Sequence, residues 1–315
     1  MTDSTSQTSA PIGPVAGGLR PAQSESVSDR PVRHRRVPLW FAVLWANGKA
    51  RVGLVMLFGF VAVAVFAPVI EPHNPQNQSF DSSLGVSSSH WLGTTAQGQD
   101  ILSLLIRGTR TSLVVGVLGG LFSTLIAMLI GMVAGYLRGW VDEILSFVIN
   151  LALVIPVLPL MVTIAAYSPV RGVSLIVFII SITGWAWGAR LKRSQIITLR
   201  TRDYVTAARF AGDGALRIIF REIMPNMTSL VVAGFMGSAT AAIGAEAGLE
   251  FLGLGDPTTI SWGTMLFWAE QGSAMLTGAW IWLLAPGIAL ALLITSLTLI
   301  NFGVDALSNP HLRGE

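Results

Sequence analysis

Six long stretches of this chain contain no aspartate, glutamate, lysine or arginine, and this pattern constrains the fold more than any other feature. The stretches cover 52–70, 111–137, 144–170, 172–189, 223–245 and 271–304. A helix crosses the hydrocarbon core of a bilayer with about 20 apolar residues. The pattern therefore predicts an all-α polytopic membrane protein with about six transmembrane helices. The predicted spans lie near 52–70, 112–136, 144–166, 172–190, 228–251 and 279–303.

Composition agrees with a membrane protein and excludes several kinds of site. Charged residues make up 12% of the chain, whereas a soluble domain carries about 25%. The chain has no cysteine, which excludes disulfides, thiolate zinc sites and cysteine nucleophiles. The histidines His34, His73, His90 and His311 are far apart in the sequence. The sequence therefore predicts no metal site.

The distribution of basic residues predicts the orientation, because loops rich in lysine and arginine remain in the cytoplasm. If the N-terminus is cytoplasmic, 17 of the 20 basic residues lie inside. Only Arg107, Arg110 and Arg171 then lie outside. The bias predicts that both termini are cytoplasmic.

The same pattern divides the chain into regions. Residues 1–45 are rich in serine and proline, and this composition predicts a disordered, basic cytoplasmic tail. Residues 46–111 hold the first transmembrane helix and an extracytoplasmic segment. Residues 112–305 form the core membrane domain, which contains a cytoplasmic loop at 191–227, and 306–315 form a second cytoplasmic tail.

The cytoplasmic loop contains a segment with ordered helix signals, residues 203–226, which reads DYVTAARFAGDGALRIIFREIMPN. Asp203 is predicted to cap a short helix at 204–211, and Gly212 to end it, because glycine readily adopts positive φ. Asp213 is predicted to cap a second helix at 214–224. Pro225 is predicted to end that helix.

This segment also offers a surface of small side chains. Ala207, Ala208 and Ala211 lie on adjacent turns of the predicted first helix, where another protein can approach closely. An ordinary basic connecting loop is the alternative. Capping signals at this density exceed what a connector needs.

Two carboxylates near the outer end of the fifth span form a second candidate site. Glu246 and Glu250 are four residues apart and therefore share one helix face. A carboxylate inside a membrane is costly and usually functional. We expect the pair to line a channel or a subunit interface, and contact with water at the outer boundary is the alternative.

The loop carries a resemblance to a known family. Thr206, Ala207 and Ala208, then Gly212, then the pair 224–225, resemble the EAA loop of ABC importer permeases. The resemblance implies a coupling helix that sits in a groove of a cytoplasmic ATPase. The implied coupling residues are Thr206, Ala207, Ala208, Gly212, Asp213 and Pro225. Thr206 stands where the family usually has glutamate, and Glu222 where isoleucine or histidine is common.

Other motifs narrow the family. HWLGT at 90–94 and GQDILS at 98–103 resemble the external motif HxLGTDxxGRDxLSR of dipeptide and oligopeptide permeases of the C-subunit type, with Gln99 in place of arginine. EFLGLG at 250–255 and SWGTML at 261–266 are similar to the SFLGLG and SWGxML signatures of that family. The resemblance covers about 45–313 and identifies the chain as a member of the dipeptide/oligopeptide (nickel) permeases.

The resemblance implies the type I ABC importer permease fold, with 112–305 as the core permease domain in a bacterial cytoplasmic membrane. It implies a heterodimer with a second, homologous permease subunit, one or two cytoplasmic ABC ATPases, an extracytoplasmic peptide-binding protein and membrane lipid, with no nucleic acid. The chain has no GxxxxGK[ST] loop. We therefore expect no enzyme activity and no cofactor in this chain, and ATP and Mg bound by the partners.

Two alternatives remain open at this stage. An importer of nickel, glutathione or another small solute would share the mechanism. This alternative stays open because no feature of the sequence identifies the substrate. A proton-coupled secondary transporter would use Glu246 and Glu250 as a relay. Such folds often contain internal repeats, and the sequence shows none.

Overall fold

The computed structural model describes Trp45 and residues 47–308, the side chains of 305–308 excepted. The rest of the predicted N-terminal tail and residues 309–315 lie outside this part of the chain. Within it there are helices and no β-strand, apart from one isolated bridge between Thr94 and Asp100. In chain order the helices are α1 Gly48–Ile70, α2 Ile101–Tyr136, α3 Trp140–Val154, α4 Val157–Tyr167, α5 Val173–Thr183, α6 Ala186–Leu199, α7 Asp203–Phe210, α8 Ala215–Arg217, α9 Thr228–Phe251, α10 Trp262–Gln271 and α11 Trp280–Ser308.

Four helical runs are long and apolar enough to cross a membrane alone. They are α1, α2, the continuous run Ala215–Phe251 and the part of α11 at Trp280–Val304. Two further pairs meet the same requirement only together: α3 with α4, bent by 83°, and α5 with α6, bent by 41°. With each pair counted as one span the described residues hold six, so the predicted all-α fold with about six spans is confirmed.

The sharper bend follows from a proline. α3 ends at Val154, and Ile155 has an extended backbone with ψ of 127°, as expected for a residue that precedes proline. Pro156 is then the N-cap of α4. The third predicted span is therefore broken into two helices at this point.

Helix α2 lies at the centre of the packing, and glycines bring its neighbours close. A Cβ at Gly120 would lie 2.7 Å from the Cα of Ala239 in α9. A Cβ at Gly131 would lie 2.5 Å from the carbonyl oxygen of Ala189 in α6. Small residues permit this contact between backbones in membrane helices.

The length of α2 separates the two polar segments of the chain. Its 36 residues extend about 54 Å at 1.5 Å per residue, which exceeds the roughly 30 Å of a bilayer core. Residues 71–100 lead into its first turn. At the other end, the Arg200 side chain donates a hydrogen bond of 2.7 Å to the carbonyl oxygen of Gly135. Residues 71–100 and 200–227 therefore meet opposite ends of one helix.

The 71–100 segment has no regular secondary structure and is tied to α2 by side chains. Asp100 is the N-cap of α2 and accepts a hydrogen bond of 2.9 Å from the Ser103 amide. The Arg107 guanidinium forms an ion pair with Glu71, with 2.9 Å between Nε and Oε2. These bonds fix the segment against the start of the helix.

Candidate functional site

The segment with the predicted coupling role begins with α7. Arg202 is its N-cap residue and no side chain caps the helix, so the predicted cap at Asp203 is wrong by one position. Asp203 is instead the first helical residue. A carboxylate in the first turn still interacts favourably with the free backbone amides there.

Gly212 ends α7 as the sequence predicts. Its φ is +86°, a conformation that side chains rarely adopt. The Gly212 amide donates to the Arg209 carbonyl oxygen at 3.1 Å, and the Asp213 amide donates to the Ala208 carbonyl oxygen at 3.1 Å. This pair of bonds is a complete Schellman motif.

The second predicted helix takes a different form. Gly214, not Asp213, is the N-cap of α8, and the Asp213 carboxylate forms an ion pair of 3.2 Å with Arg217. After α8 the chain continues as a π-helical turn over Ile218–Ile223 and a 3-10 turn over Met224–Met227. These turns lead directly into α9.

Pro225 does not end the helical path, in contrast to the prediction. In a regular α-helix its ring would clash with the carbonyl group of Arg221. Here the Met224 amide donates to the Ile219 carbonyl oxygen, five residues back. The wide turn followed by a tight turn accommodates the proline, and the span continues.

The predicted coupling residues differ in their exposure to solvent. Ala207, Gly212 and Pro225 are exposed, whereas Thr206, Ala208 and Asp213 are half-buried. It also adds large apolar side chains that the sequence analysis missed: Phe210 is 87% exposed, Leu216 66% and Phe220 41%. Three large exposed apolar side chains within one short segment make that segment a candidate interaction surface. The signal was present as large apolar residues within a basic loop.

The same segment is anchored to the transmembrane helices. Val205 of α7 is fully buried against Met132 of α2, Ile196 of α6 and Ile218. The Arg209 guanidinium lies 5.8 Å above the ring of Tyr136 at the end of α2. A force applied to α7 would therefore act on α2 and α6.

The glutamate pair lies inside the subunit. Glu246 and Glu250 have 0% and 2% of their surface exposed. The Ser112 hydroxyl of α2 lies 3.3 Å from both carboxylate oxygens of Glu246, and the Ser261 hydroxyl donates to Glu250. The sequence analysis expected a channel or subunit-interface position. The shared helix face is correct, but that face is covered by α2 and α10 of the same chain.

Two glycines, one in each of the two motifs, make room for Glu250. A Cβ at Gly255 would lie 2.7 Å from Cγ of Glu250, and a Cβ at Gly263 would lie 2.8 Å from its Cβ. Ser261, which donates to Glu250, is the N-cap of α10 and forms a capping box there. The two motifs thus encode one packed junction of α2, α9 and α10.

One group of side chains could hold a metal ion among the described residues. His73, His90 and Asp100 each offer one donor atom, and these atoms lie within 4.8 Å of one another. The sequence predicts no metal site because the histidines are separated along the chain. The fold nevertheless brings the rings of His73 and His90 to 4.8 Å between centroids.

Comparison with known proteins agrees with these observations. Residues 127–314 match the profile of the family described as "Binding-protein-dependent transport system inner membrane component". Residues 40–85 match the "N-terminal TM domain of oligopeptide transport permease C". The two matches together cover most of the chain.

Curated relatives match over nearly their whole length. The dipeptide transport system permease protein DppC of Escherichia coli K12 is 38% identical over 278 residues, which is 85% of this chain and 90% of the relative. DppC of Bacillus subtilis 168 is 33% identical, with coverage of 85% and 83%. The oligopeptide transport system permease protein OppC of Mycobacterium tuberculosis H37Rv is 33% identical, with coverage of 82% and 88%.

A solved structure supports the fold. An inward-facing form of the MetNI methionine ABC transporter superposes with a TM-score of 0.53 at 18% identity, over 67% of this chain and 97% of that chain. The helices described above therefore follow the type I ABC importer arrangement. The chain belongs to the binding-protein-dependent transport system inner membrane components, in the branch of the dipeptide and oligopeptide C-type permeases.

Proposed function

We propose that this chain forms half of the translocation channel of an ATP-driven importer of dipeptides or oligopeptides. A second, homologous permease subunit supplies the other half. A permease of this family is not itself catalytic and works with other components of an ABC importer in a bacterial inner membrane. In the proposed complex an extracytoplasmic receptor delivers the peptide, and one or two cytoplasmic ATPases bind the ATP and Mg.

One observation carries the proposal: the 203–226 segment has exposed apolar side chains on one part and a buried anchor on another. Phe210 and Leu216 are exposed, while Val205 is packed against α2 and α6. Closure of the ATPases would push this segment and rock the attached helices. A rigid-body change between two packings is a common form of such transitions.

The docking part of the proposal is tested with Phe210→Ser combined with Leu216→Ser. Removal of two exposed apolar side chains leaves the anchor at Val205 intact, so we expect normal insertion in the membrane. We expect the ATPase recovered with the purified permease to fall at least about tenfold, because a few residues carry most of the binding energy of an interface. Leu276→Ser is the control, since Leu276 is 90% exposed in the α10–α11 connection, outside this segment. Equal recovery of ATPase from all three proteins would contradict the docking role.

The peptide part of the proposal rests on the names of the relatives, which are dipeptide and oligopeptide permeases. It is tested on the extracytoplasmic receptor proposed for this complex. Tight binding of dipeptides or oligopeptides to that receptor supports the proposal. Binding of only a nickel chelate, glutathione or a sugar would contradict the peptide substrate and leave the ATP-driven mechanism standing.

A proton-coupled transporter is the contrasting class of function. The complete complex in proteoliposomes separates the two classes, with ATP supplied but no proton gradient. We expect uptake under these conditions and none when a catalytically inactive ATPase replaces the natural one. Uptake that follows the proton gradient and ignores ATP would overturn the proposal.

A further inference from the structure

The first turn of α2 and the segment before it bring two imidazoles and one carboxylate together. His90 Nδ1 lies 2.9 Å from Asp100 Oδ1, and His73 Nδ1 lies 3.8 Å from Asp100 Oδ2. His90 is 5% exposed and Asp100 is 1% exposed. Buried imidazole and carboxylate groups at this density need partners.

One donor atom of the cluster has no hydrogen-bond partner. His73 Nδ1 is buried and makes no hydrogen bond, although the rest of the His73 side chain retains 30% exposure. An imidazole nitrogen that is directed at a carboxylate, yet too far for a hydrogen bond, leaves a coordination position open. The exposed edge of the same ring gives an entry path from solvent.

Neighbouring groups already hold the carboxylate in place. Ser103 donates to Asp100 Oδ2 through its amide at 2.9 Å and its hydroxyl at 2.6 Å. The other carboxylate oxygen, Oδ1, lies 2.9 Å from His90 Nδ1, within hydrogen-bond distance. The carboxylate is therefore held in one orientation. Such outer contacts commonly orient metal ligands.

The ring positions are supported in the same way. The Phe80 ring packs edge-on against both imidazoles, with centroids 5.1 Å from His73 and 4.6 Å from His90. The His73 amide also donates to the Ser103 hydroxyl at 3.1 Å. The cluster thus joins the beginning and the end of the 71–100 segment to the first turn of α2.

We propose that His73, His90 and Asp100 bind a divalent transition-metal ion of the zinc class. Two imidazoles and one carboxylate are a common ligand set for zinc, with a water in the fourth position. In a tetrahedral site with bonds of about 2.1 Å the donor atoms lie about 3.4 Å apart. Ion binding would therefore shorten the 3.8 Å separation of His73 from Asp100 and replace the 2.9 Å contact of His90 with Asp100. The ion would clamp the 71–100 segment onto α2.

The test uses the full chain, purified with its partner subunits and stripped of metal by a chelator. Zn²⁺ is titrated by calorimetry, with Mg²⁺ as a hard-cation control. We expect one Zn²⁺ per copy of this chain that is absent from complexes carrying His73→Ala, with affinity at least about tenfold lower for His90→Gln, since loss of a ligand exceeds the effect of outer contacts. His34→Ala and His311→Ala are matched controls and should bind as the parent does.

If a variant misfolds, X-ray absorption at the zinc edge of the parent complex still tests the site. For the parent complex we expect imidazole scattering and nitrogen or oxygen ligands at about 2.0–2.1 Å. Three results would each overturn the site: no Zn²⁺ binding stronger than that of Mg²⁺, unchanged binding after His73→Ala, or loss of binding after His34→Ala. Absence of imidazole scattering would do the same.

Discussion

At the scale of single residues, two glycines separated by one position have different roles. Gly212 has φ of +86°, whereas Gly214 has φ of −70°, and a Cβ at either position would meet nothing within 4 Å. A side chain would therefore fit at either position, and only the backbone conformation distinguishes the two glycines. The Schellman end of α7 depends on Gly212 alone.

We therefore predict that Gly212→Ala impairs transport and that Gly214→Ala does not. Left-handed backbone costs a residue with a side chain about 1–2 kcal/mol, which would loosen the end of α7 where force enters. Peptide uptake by cells with equal membrane levels of each variant is the measurement. Equal loss of uptake in both variants would show that conformation at position 212 is not the cause.

The buried glutamate pair gives a second prediction at this scale. Glu250→Gln keeps an oxygen that can accept from Ser261, while Glu250→Ala removes the acceptor. A buried polar group without a partner costs about 1–3 kcal/mol. We expect the alanine variant to lose folded protein at lower temperature than the glutamine variant.

The measurement is the amount of monodisperse complex that survives heating in detergent, followed by size-exclusion chromatography. Similar survival of the two variants would argue against a structural role of the carboxyl group at this junction. Reduced uptake with unchanged survival in Glu250→Gln would instead support a place for the pair in the transport path.

At the scale of the helices, α2 organises the core because its glycines face its neighbours. Gly120 lies against the backbone of Ala239, so a methyl group there must separate α2 from α9. Gly59 of α1 is its counterpart, since a Cβ there would meet nothing within 4 Å. Both glycines lie in the middle of long apolar helices.

We predict that Gly120→Ala destabilises the complex by about 1–3 kcal/mol, the usual cost of overpacking, and that Gly59→Ala leaves it unchanged. Thermal unfolding of the two purified variants in the same detergent is the measurement. A stable Gly120→Ala variant would mean that α2 and α9 pack more loosely than the structure describes.

At the scale of the whole chain, α2 connects the 71–100 segment with the 200–227 segment. Basic residues predict that the first segment is extracytoplasmic and the second cytoplasmic. The absence of cysteine makes this orientation easy to test, because each introduced thiol is unique. Ser88 and Thr201 are both exposed and lie in these two segments.

We predict that Ser88→Cys reacts with a membrane-impermeant maleimide in intact spheroplasts. Thr201→Cys should react only after permeabilisation, because its side of the membrane is closed to the reagent. The measurement is labelled protein detected on a gel. The reverse pattern would place the coupling segment outside and remove the basis of the proposed function.

Local and periodic sequence patterns were enough to predict the spans, the end of α7 and the family. Long runs without charged residues predicted the spans, because an unpaired charge in the bilayer core is costly whatever the fold. The motif around Gly212 predicted the end of α7, because a glycine cap is set by the residues next to it. Motif resemblance gave the family, and the comparisons confirm it.

The partners that each side chain meets depend on the packing of the whole chain. Periodicity placed Glu246 and Glu250 on one helix face, but the packing of α2 and α10 decided that the face is enclosed. Likewise, His73 and His90 are distant along the chain, and the turns of the 71–100 segment bring their rings together. Contacts between residues far apart in sequence depend on how helices and loops pack, and no local pattern encodes that arrangement.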